Sequence, residues 1–329
     1  MNNLKRFILS CCFSPFLLNG QNPKVVATAS IISNIAEELA PKSFHIKCIV
    51  PIGGDPHIYE STPGDARMVA EADLVLKNGL TFEGWLDELI KNSGTKAQIV
   101  TVTDSIVPIV SPAYKNATDP HAWMDARNGI VYARNIKNAL IDLQPEKRDT
   151  IEQLFHRYKL MLEELDSFIV MQIQLIPPER RILITSHDAF QYFGKRYGLQ
   201  LESILGISTD AEVQTSDIIH LNHVIKSSGV PAVFIESTVN PKVLEQIAKD
   251  NGIVIGGKLY SDSIGNRESP APSYIKMLEY NTNTIVSGLS RQDPENISTT
   301  EDPVSKAIVY ILLGFLAAGV IIVLIRKLN

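Results

Sequence analysis

The chain has 329 residues, about the length of two ordinary domains, and 45% of them are hydrophobic while 20% are charged. This balance is typical of globular proteins and excludes a disordered, collagen-like or disulfide-rich chain. Lysine and arginine total 31 against 36 acidic residues, which gives a net charge of −5. The composition therefore does not indicate a nucleic-acid-binding protein.

The first residues indicate export from the cytoplasm. Lys5 and Arg6 precede a short apolar stretch, and Gly20 is a small residue suited to cleavage before Gln21. We predict a signal peptide over residues 1–20 and an extracytoplasmic location for the rest of the chain.

An alternative is a lipoprotein signal in which Cys11 carries the lipid. The apolar core of the signal would then be only Phe7 to Ser10, which is short, so simple cleavage is favoured. Cleavage would also remove Cys12 and leave Cys48 as the only cysteine, which excludes an internal disulfide.

Residues 21–144 alternate short β-branched runs with amphipathic helical patterns. The predicted strands are 25–30, 45–50, 73–78 and 98–103, and the predicted helices are 31–40, 65–72, 82–92 and 125–143. Such an alternation predicts βα units around a mainly parallel sheet, so this region is expected to form an N-terminal lobe.

Residues 145–176 break this rhythm and predict one long helix. Pro145 suits a first helical turn, and apolar residues recur every three or four positions from Ile151 to Ile169. No stop signal precedes Pro177, so the helix would have about 30 residues and a length of about 45 Å. We expect this helix to link two lobes.

The alternation resumes over residues 177–290 and predicts a C-terminal lobe. Its predicted strands are 181–186, 199–204, 232–237 and 253–261, separated by helical patterns at 189–198, 217–229 and 241–252 and followed by one at 273–289. The predicted fold class is therefore α/β, with two lobes of mainly parallel sheet joined by one long helix.

The remaining residues predict a membrane anchor. Residues 291–306 are polar and contain two prolines, which is typical of a flexible tether. Residues 307–325 contain no charge and could nearly cross a bilayer as a helix. A buried core helix is the alternative, but such a helix usually keeps a polar stripe. Arg326 and Lys327 agree with a cytoplasmic C-terminus.

Two histidines occur in the same tripeptide, Asp-Pro-His. His57 follows a predicted strand, and His121 directly precedes a predicted helix. Each has an aspartate two residues earlier, Asp55 or Asp119, which can orient the ring or cap the next helix. One such tripeptide is most simply a surface turn, whereas two in one lobe favour metal ligation.

Two further candidate ligands end strands of the second lobe. His187 ends the strand at 181–186, and Asp262 follows the strand at 253–261. Ligands in open α/β sheets bind beyond the carboxyl ends of the strands, so His57, His121, His187 and Asp262 can converge in one crevice. Three imidazoles and one carboxylate suit a divalent transition metal such as Zn²⁺ or Mn²⁺. From spacing alone, Asp262 is more simply explained as a helix cap than as a ligand.

Other polar residues have simpler interpretations. Asp217, His220 and His223 share one face of a predicted helix and could bind a metal weakly, but solvated helix positions account for them. Glu236 ends a predicted strand and could be a catalytic base or a carboxylate that anchors a ligand. We favour the anchor.

The chain resembles the TroA-like metal-ion solute-binding proteins of ABC importers, which include zinc-binding proteins and streptococcal adhesin-type lipoproteins. The motifs that carry this resemblance are GGDPHIYESTPGD (53–65), DLVLKNGLTFEGWL (73–86), DPHAWMD (119–125), TSHDAFQYFGKRYGL (185–199), VFIES (233–237) and LYSDSI (259–264). They follow the family's order and cover residues 24–290.

The resemblance implies a transport protein rather than an enzyme. It implies a divalent metal, Zn²⁺, Mn²⁺ or Fe²⁺, held between two lobes by His57, His121, His187 and Asp262, and delivery to an ABC transporter permease in the membrane. It thereby strengthens the assignment of Asp262 as a ligand.

Three features depart from the family's pattern. The stretch 111–121 carries no extra histidine, unlike many zinc-dedicated members, and His187 stands where manganese-favouring members often have Glu. The C-terminal span also differs from the N-terminal lipid usual in Gram-positive members. Two alternative functions remain: a metallohydrolase with a His-rich zinc site, which would need an open coordination position, and a surface adhesin.

Overall fold

Short parallel strands and the helices between them build both halves of the chain. The computed structural model describes residues 22–110 and 118–291. The predicted signal peptide, Cys11, nearly all of the tether and the apolar segment 307–325 lie outside the described residues. Within the described part of the chain, no helix is both long and apolar enough to cross a membrane.

The N-terminal half contains four strands and four helices. They are β1 (Lys24–Ala27), α1 (Ser30–Leu39), β2 (His45–Cys48), α2 (Pro63–Ala70), β3 (Leu74–Lys77), α3 (Leu86–Ser93), β4 (Gln98–Thr101) and α4 (Ala126–Leu143). The strands form one parallel sheet in the order β2-β1-β3-β4. The central strands β1 and β3 are almost fully buried, as expected for a parallel sheet covered by helices on its faces.

The C-terminal half repeats the βα pattern in two parallel strand pairs. Its elements are β5 (Ile182–Thr185), α6 (Gln191–Tyr197), β6 (Gln200–Ser203), α7 (Thr215–Ser228), β7 (Ala232–Glu236), α8 (Lys242–Asn251), β8 (Val254–Leu259) and α9 (Tyr274–Leu289). β5 pairs with β6 and β7 pairs with β8. The fold is thus the two-lobed α/β arrangement that the sequence predicts.

The helix between the two halves is α5 (Arg148–Ile173), which is about 39 Å long at 1.5 Å per residue. It is slightly shorter than predicted, because Pro145–Lys147 form a separate 3₁₀ turn and the helix ends at Ile173. Five residues of the predicted stripe from Ile151 to Ile169 are buried, whereas Leu154 is only half-buried. This face packs on α4, α9 and α1.

Two predicted boundaries in the first half are wrong by several residues. The first strand ends at Ala27 rather than residue 30, because Ser30 already begins α1. The helix predicted over 82–92 begins at Leu86, because the chain before it forms a turn with positive φ at Leu80 and Thr81. That turn faces the site described next.

Candidate metal centre

Loops at the carboxyl ends of the strands carry the four predicted ligands. His57 lies in the loop between β2 and α2, and His121 lies one residue before the 3₁₀ turn that leads into α4. His187 follows β5 by two residues, and Asp262 follows β8 by three. Each half of the chain therefore contributes two of these side chains.

The structure brings all four side chains together. One potential ligand atom of each lies within 4.8 Å of those of the other three. Nε2 of His121 is 3.2 Å from Nε2 of His57 and 3.4 Å from Nε2 of His187. Oδ1 of Asp262 lies 3.2 Å from Nε2 of His121 and 3.9 Å from Nε2 of His57.

Three of these four separations, 3.2, 3.2 and 3.4 Å, are close to the edges of a coordination tetrahedron, and the fourth, 3.9 Å, is longer. Ligand atoms about 2.0–2.1 Å from a tetrahedral Zn²⁺ are about 3.3 Å apart. His121, His187 and Asp262 are fully buried, and only 4% of the His57 side chain is exposed. The group could therefore hold a metal ion largely shielded from water.

Two of the imidazoles have a carboxylate behind them. Nδ1 of His121 lies 2.7 Å from Oδ1 of Asp119, and Nδ1 of His187 lies 2.8 Å from Oε2 of Glu236. Glu236 also accepts a hydrogen bond from the backbone N–H of His187 through Oε1. Carboxylates in this position fix the tautomer and direct Nε2 toward a metal, so Glu236 lies where an anchoring carboxylate would.

The two Asp-Pro-His tripeptides are not equivalent. Each aspartate accepts a hydrogen bond from the backbone N–H of the histidine two residues later, at 2.9 Å, but of the two only Asp119 also contacts the imidazole ring. The other oxygen of Asp55 accepts a hydrogen bond from Oγ1 of Thr209 in the C-terminal half (2.6 Å). Asp55 therefore fixes the His57 loop and connects the two halves rather than orienting a ring.

Nearby carboxylates decide which imidazoles of the site carry a proton. Burial lowers the pKa of His57 to about 3, so this imidazole is neutral. Burial also disfavours protonation of His121, but Asp119 and Asp262 outweigh it and raise the pKa of His121 to about 9. Despite its burial, Asp262 has a pKa held well below its ordinary value by His187 and His121. A metal binding here would displace protons from imidazoles beside an ionised carboxylate.

One oxygen of Asp262 is available for a ligand. Oδ2 accepts hydrogen bonds from Oγ1 of Thr238 and Oγ of Ser261, both at 3.1 Å. The buried Oδ1 accepts no well-aligned hydrogen bond from the described residues. Two hydroxyls thus fix the carboxylate while its free oxygen faces the imidazoles.

Aromatic side chains, which sequence reasoning did not assign to the site, cover one side of it. The ring of Phe82 is 5.0 Å from that of His57, and the ring of Trp123 is 5.3 Å from that of His121. Both rings are almost fully buried. The motifs around them are part of the family resemblance, but an aromatic residue beside a turn carries no spacing signal for metal binding.

The other histidine cluster is not a comparable site. Asp217 caps α7 by accepting a hydrogen bond from the backbone N–H of Gln214, and His220 lies 3.1 Å from Oε2 of Glu202. His220 and His223 are exposed. This arrangement agrees with ordinary solvated helix positions.

The two-lobed fold and this group of potential ligand atoms together define a class of proteins, those that bind a divalent metal ion between two lobes. A family model described as the periplasmic zinc-uptake complex component A (ZnuA) matches residues 25–288. The chain therefore belongs to the ZnuA family.

Three similar proteins illustrate the range of the family. The manganese-binding lipoprotein MntA of Halalkalibacterium halodurans is 34% identical over 275 residues, covering 83% of this chain and 90% of that protein. The iron ABC transporter substrate-binding lipoprotein MtsA of Streptococcus pyogenes serotype M1 is 35% identical over 301 residues, covering 88% and 96%. The structure of the periplasmic zinc-binding protein TroA of Treponema pallidum matches with a TM-score of 0.78 at 31% identity, covering 82% of this chain and 100% of that one.

Members of this family are solute-binding components of ABC transporters and not enzymes. The match therefore confirms the predicted family and class of function. It lends no support to the metallohydrolase or the adhesin alternative.

Proposed function

We propose that this chain is the extracytoplasmic solute-binding protein of an ABC importer for a divalent transition metal. It captures one ion of Zn²⁺ or Mn²⁺, with Fe²⁺ as a third candidate, between its two lobes and delivers it to a membrane permease. His57, His121, His187 and Asp262 are the proposed ligands.

The observation that carries this proposal is the convergence of three Nε2 atoms and one carboxylate oxygen from both halves of the chain. A site divided between two lobes can bind tightly when the lobes are together and release the ion when they separate. A catalytic zinc site, in contrast, usually has three protein ligands and an open position for water. The fourth ligand, Asp262, would fill that position here.

The donor set does not select one metal strongly. Nitrogen-rich sites generally bind Zn²⁺ more tightly than Mn²⁺, although the supply of metal can override this order. The relatives carry manganese, iron and zinc in their names. The proposal therefore names the class of cargo and leaves its identity to measurement.

The proposed organisation follows from the same function. Residues 21–144 and 177–290 are the two lobes, residues 145–176 link them, and residues 291–306 tether the body to a membrane-spanning helix at 307–325. Such an anchor would raise the effective concentration of the loaded protein near its permease. The relatives' names describe lipoproteins, so lipidation of Cys11 is the rival means of attachment.

Calorimetry tests the proposed site. The full chain in detergent, stripped of metal, is expected to bind one equivalent of Zn²⁺ or Mn²⁺. His121→Ala should weaken metal binding at least about 100-fold, because it removes one of the four proposed ligands, and loss of even a group that only orients a ligand costs about 10- to 100-fold. His156→Ala, at an exposed position of α5, is the matched control and should bind as the parent chain does. Equal affinities for His121→Ala and the control would refute the assignment.

A further inference from the structure

The turn between β3 and α3 has an unusual backbone. Gly79, Leu80 and Thr81 have φ values of +79°, +53° and +66°. Glycine adopts this left-handed region readily, but leucine and especially β-branched threonine do so only at a cost in free energy. In the described part of the chain, Ser105 is the one other non-glycine residue with positive φ. Two such residues in succession need a surrounding structure that holds them.

This strained turn places a side chain against the candidate metal centre. Phe82, which ends the turn, is 1% exposed and contacts the rings of His57 and His121 edge-on, at centroid distances of 5.0 and 6.2 Å. Thr81, Phe82 and His57 also line a cavity of about 350 Å³. Residues 206–208 of the C-terminal half form part of its other wall.

One buried carboxylate holds the turn. Oε1 of Glu83 accepts hydrogen bonds from the backbone N–H of Asn78 and from Oγ1 of Thr28, both at 2.6 Å. Oε2 accepts a hydrogen bond from the backbone N–H of Gly79 at 3.0 Å. Glu83 follows the turn and Asn78 precedes it, so the carboxylate joins the two ends and fixes the loop to β1.

The same assembly reaches the loop of a second proposed ligand. The side-chain amide of Asn78 donates a hydrogen bond to the carbonyl oxygen of Pro120 at 3.0 Å, next to His121. The backbone N–H of Asn78 is bound by Glu83, so one network connects the carboxylate to the backbone beside His121. None of these groups is one of the four proposed ligands.

We propose that Glu83 is a positioning residue of the metal centre, which holds the strained turn 79–82 so that Phe82 stays packed against His57 and His121. Loss of its hydrogen bonds would let the turn relax and Phe82 withdraw. The wall beside His57 would then loosen, and a bound metal would dissociate faster. This inference rests on the proposed function.

The test is the rate of zinc dissociation from the full chain in detergent, measured by rapid mixing with excess chelator. Glu83→Gln keeps the shape of the side chain, but its NH₂ group cannot accept the hydrogen bonds that the second oxygen accepts. We expect dissociation about tenfold faster, since the loss of groups that orient ligands typically costs this much.

A second substitution tests whether backbone strain in the turn, rather than a general loss of local structure, accounts for faster dissociation. Thr81→Gly removes the strain, because glycine accepts positive φ, and Thr81 is exposed, so little packing is lost. In the Glu83→Gln background it should bring the dissociation rate back to within about threefold of the parent chain. Thr81→Ala removes the same hydroxyl and keeps the Cβ atom, so it should not restore the rate.

The outcomes are distinguishable. Parent-like dissociation from Glu83→Gln, or equal effects of Thr81→Gly and Thr81→Ala, would overturn the positioning role while leaving metal binding intact. If the parent chain binds no zinc or manganese, the proposed function itself fails. Where Glu83→Gln does not fold, Phe82→Leu removes the wall directly, and an unchanged rate for that variant overturns the inference.

Discussion

The three imidazoles of the candidate metal centre are oriented by different means. Carboxylates of Asp119 and Glu236 lie against Nδ1 of His121 and His187, whereas His57 is placed by its backbone bond to Asp55 and by its contact with Phe82. A carboxylate behind an imidazole makes it a more basic ligand. His57 is therefore the ligand whose placement depends most on packing.

His187 is the position at which metal preference should be adjustable. Replacing an imidazole by a carboxylate exchanges a nitrogen donor for an oxygen donor, which suits Mn²⁺ better than Zn²⁺. His187→Glu alone would put two carboxylates together, because Glu236 lies 2.8 Å from the ring. We expect His187→Glu combined with Glu236→Gln to lower the ratio of zinc to manganese affinity by about tenfold or more, measured by competitive titration.

His156→Glu, at an exposed position of α5, controls for the added charge. It should leave the affinity ratio unchanged. An unchanged ratio in the His187 double variant as well would mean that His187 does not bind the metal.

At this scale the sequence predicts residues with distinctive chemistry and misses those that act through the backbone. The repeated Asp-Pro-His and the strand-end position of His187 indicated three of the four side chains that converge, whereas the assignment of Asp262 needed the family resemblance as well. Glu83 could not be found in this way, because its hydrogen bonds go mainly to backbone N–H groups of a turn whose φ values no spacing reveals.

Among the elements, α5 connects the helices that follow two of the proposed ligands. Asp166 on α5 accepts hydrogen bonds from Arg127 on α4 (3.0 Å) and from Arg196 on α6 (2.6 and 3.0 Å). His121 lies just before α4, and His187 lies just before α6. This buried carboxylate therefore joins the two helices through the linking helix.

Asp166→Asn should destabilise the protein. Burial would raise the pKa of Asp166, but Arg196 and Arg127 outweigh it and hold the pKa below its ordinary value. A lowered pKa in the folded state gives stability that is present above the unfolded-state pKa of about 3.9 and is lost as the pH falls through the folded-state pKa. At pH 7 we expect the unfolding free energy to fall by about 1–2 kcal/mol. The loss is no larger because solvent around the partly exposed arginine side chains screens these ion pairs.

Thermal unfolding of the parent chain and of Asp166→Asn between pH 7 and pH 3 measures this loss. The difference in Tm between the two proteins should become smaller below about pH 4. Glu163→Gln, which affects an exposed pair with Lys159, is the control and should change Tm little. A gap that stays constant down to pH 3 would contradict the role assigned to the charge of Asp166.

The helices were predicted more accurately than their ends. The apolar stripe of α5 identified that helix, since its burial follows the helical period directly. The start of α3 was misplaced by four residues, because the apolar pattern continues through the turn at Leu80 and Phe82, whose backbone is fixed by Glu83.

In the whole molecule, the largest buried hydrophobic cluster of the described residues includes side chains from both lobes, while two smaller clusters lie in one lobe each. The large cluster runs from Val25 in β1 through Leu162 in α5 to Phe234 in β7 and Leu289 in α9. Two α/β halves and a linking helix were predictable from the alternation of strand and helix patterns. Their joint core was not, because it depends on contacts between segments far apart in sequence.

Attachment to the membrane is testable by fractionation. Deletion of residues 307–325 should move the protein from the membrane fraction to the soluble fraction, because about 19 apolar residues suffice to anchor a protein. Cys11→Ser should leave it in the membrane fraction. If the deletion variant stays in the membrane fraction and Cys11→Ser becomes soluble, lipidation of Cys11 rather than the apolar segment attaches the protein.

The most direct test of the metal cargo is the metal content of the protein isolated from its own cells before any chelation, measured by elemental analysis. We predict about one equivalent of zinc, manganese or iron per chain, consistent with one group of four ligands. Asp262→Ala should lose this metal, and Asp250→Ala, at an exposed position, should keep it. A parent chain without a transition metal, or an Asp262→Ala variant that retains the full equivalent, would contradict the account.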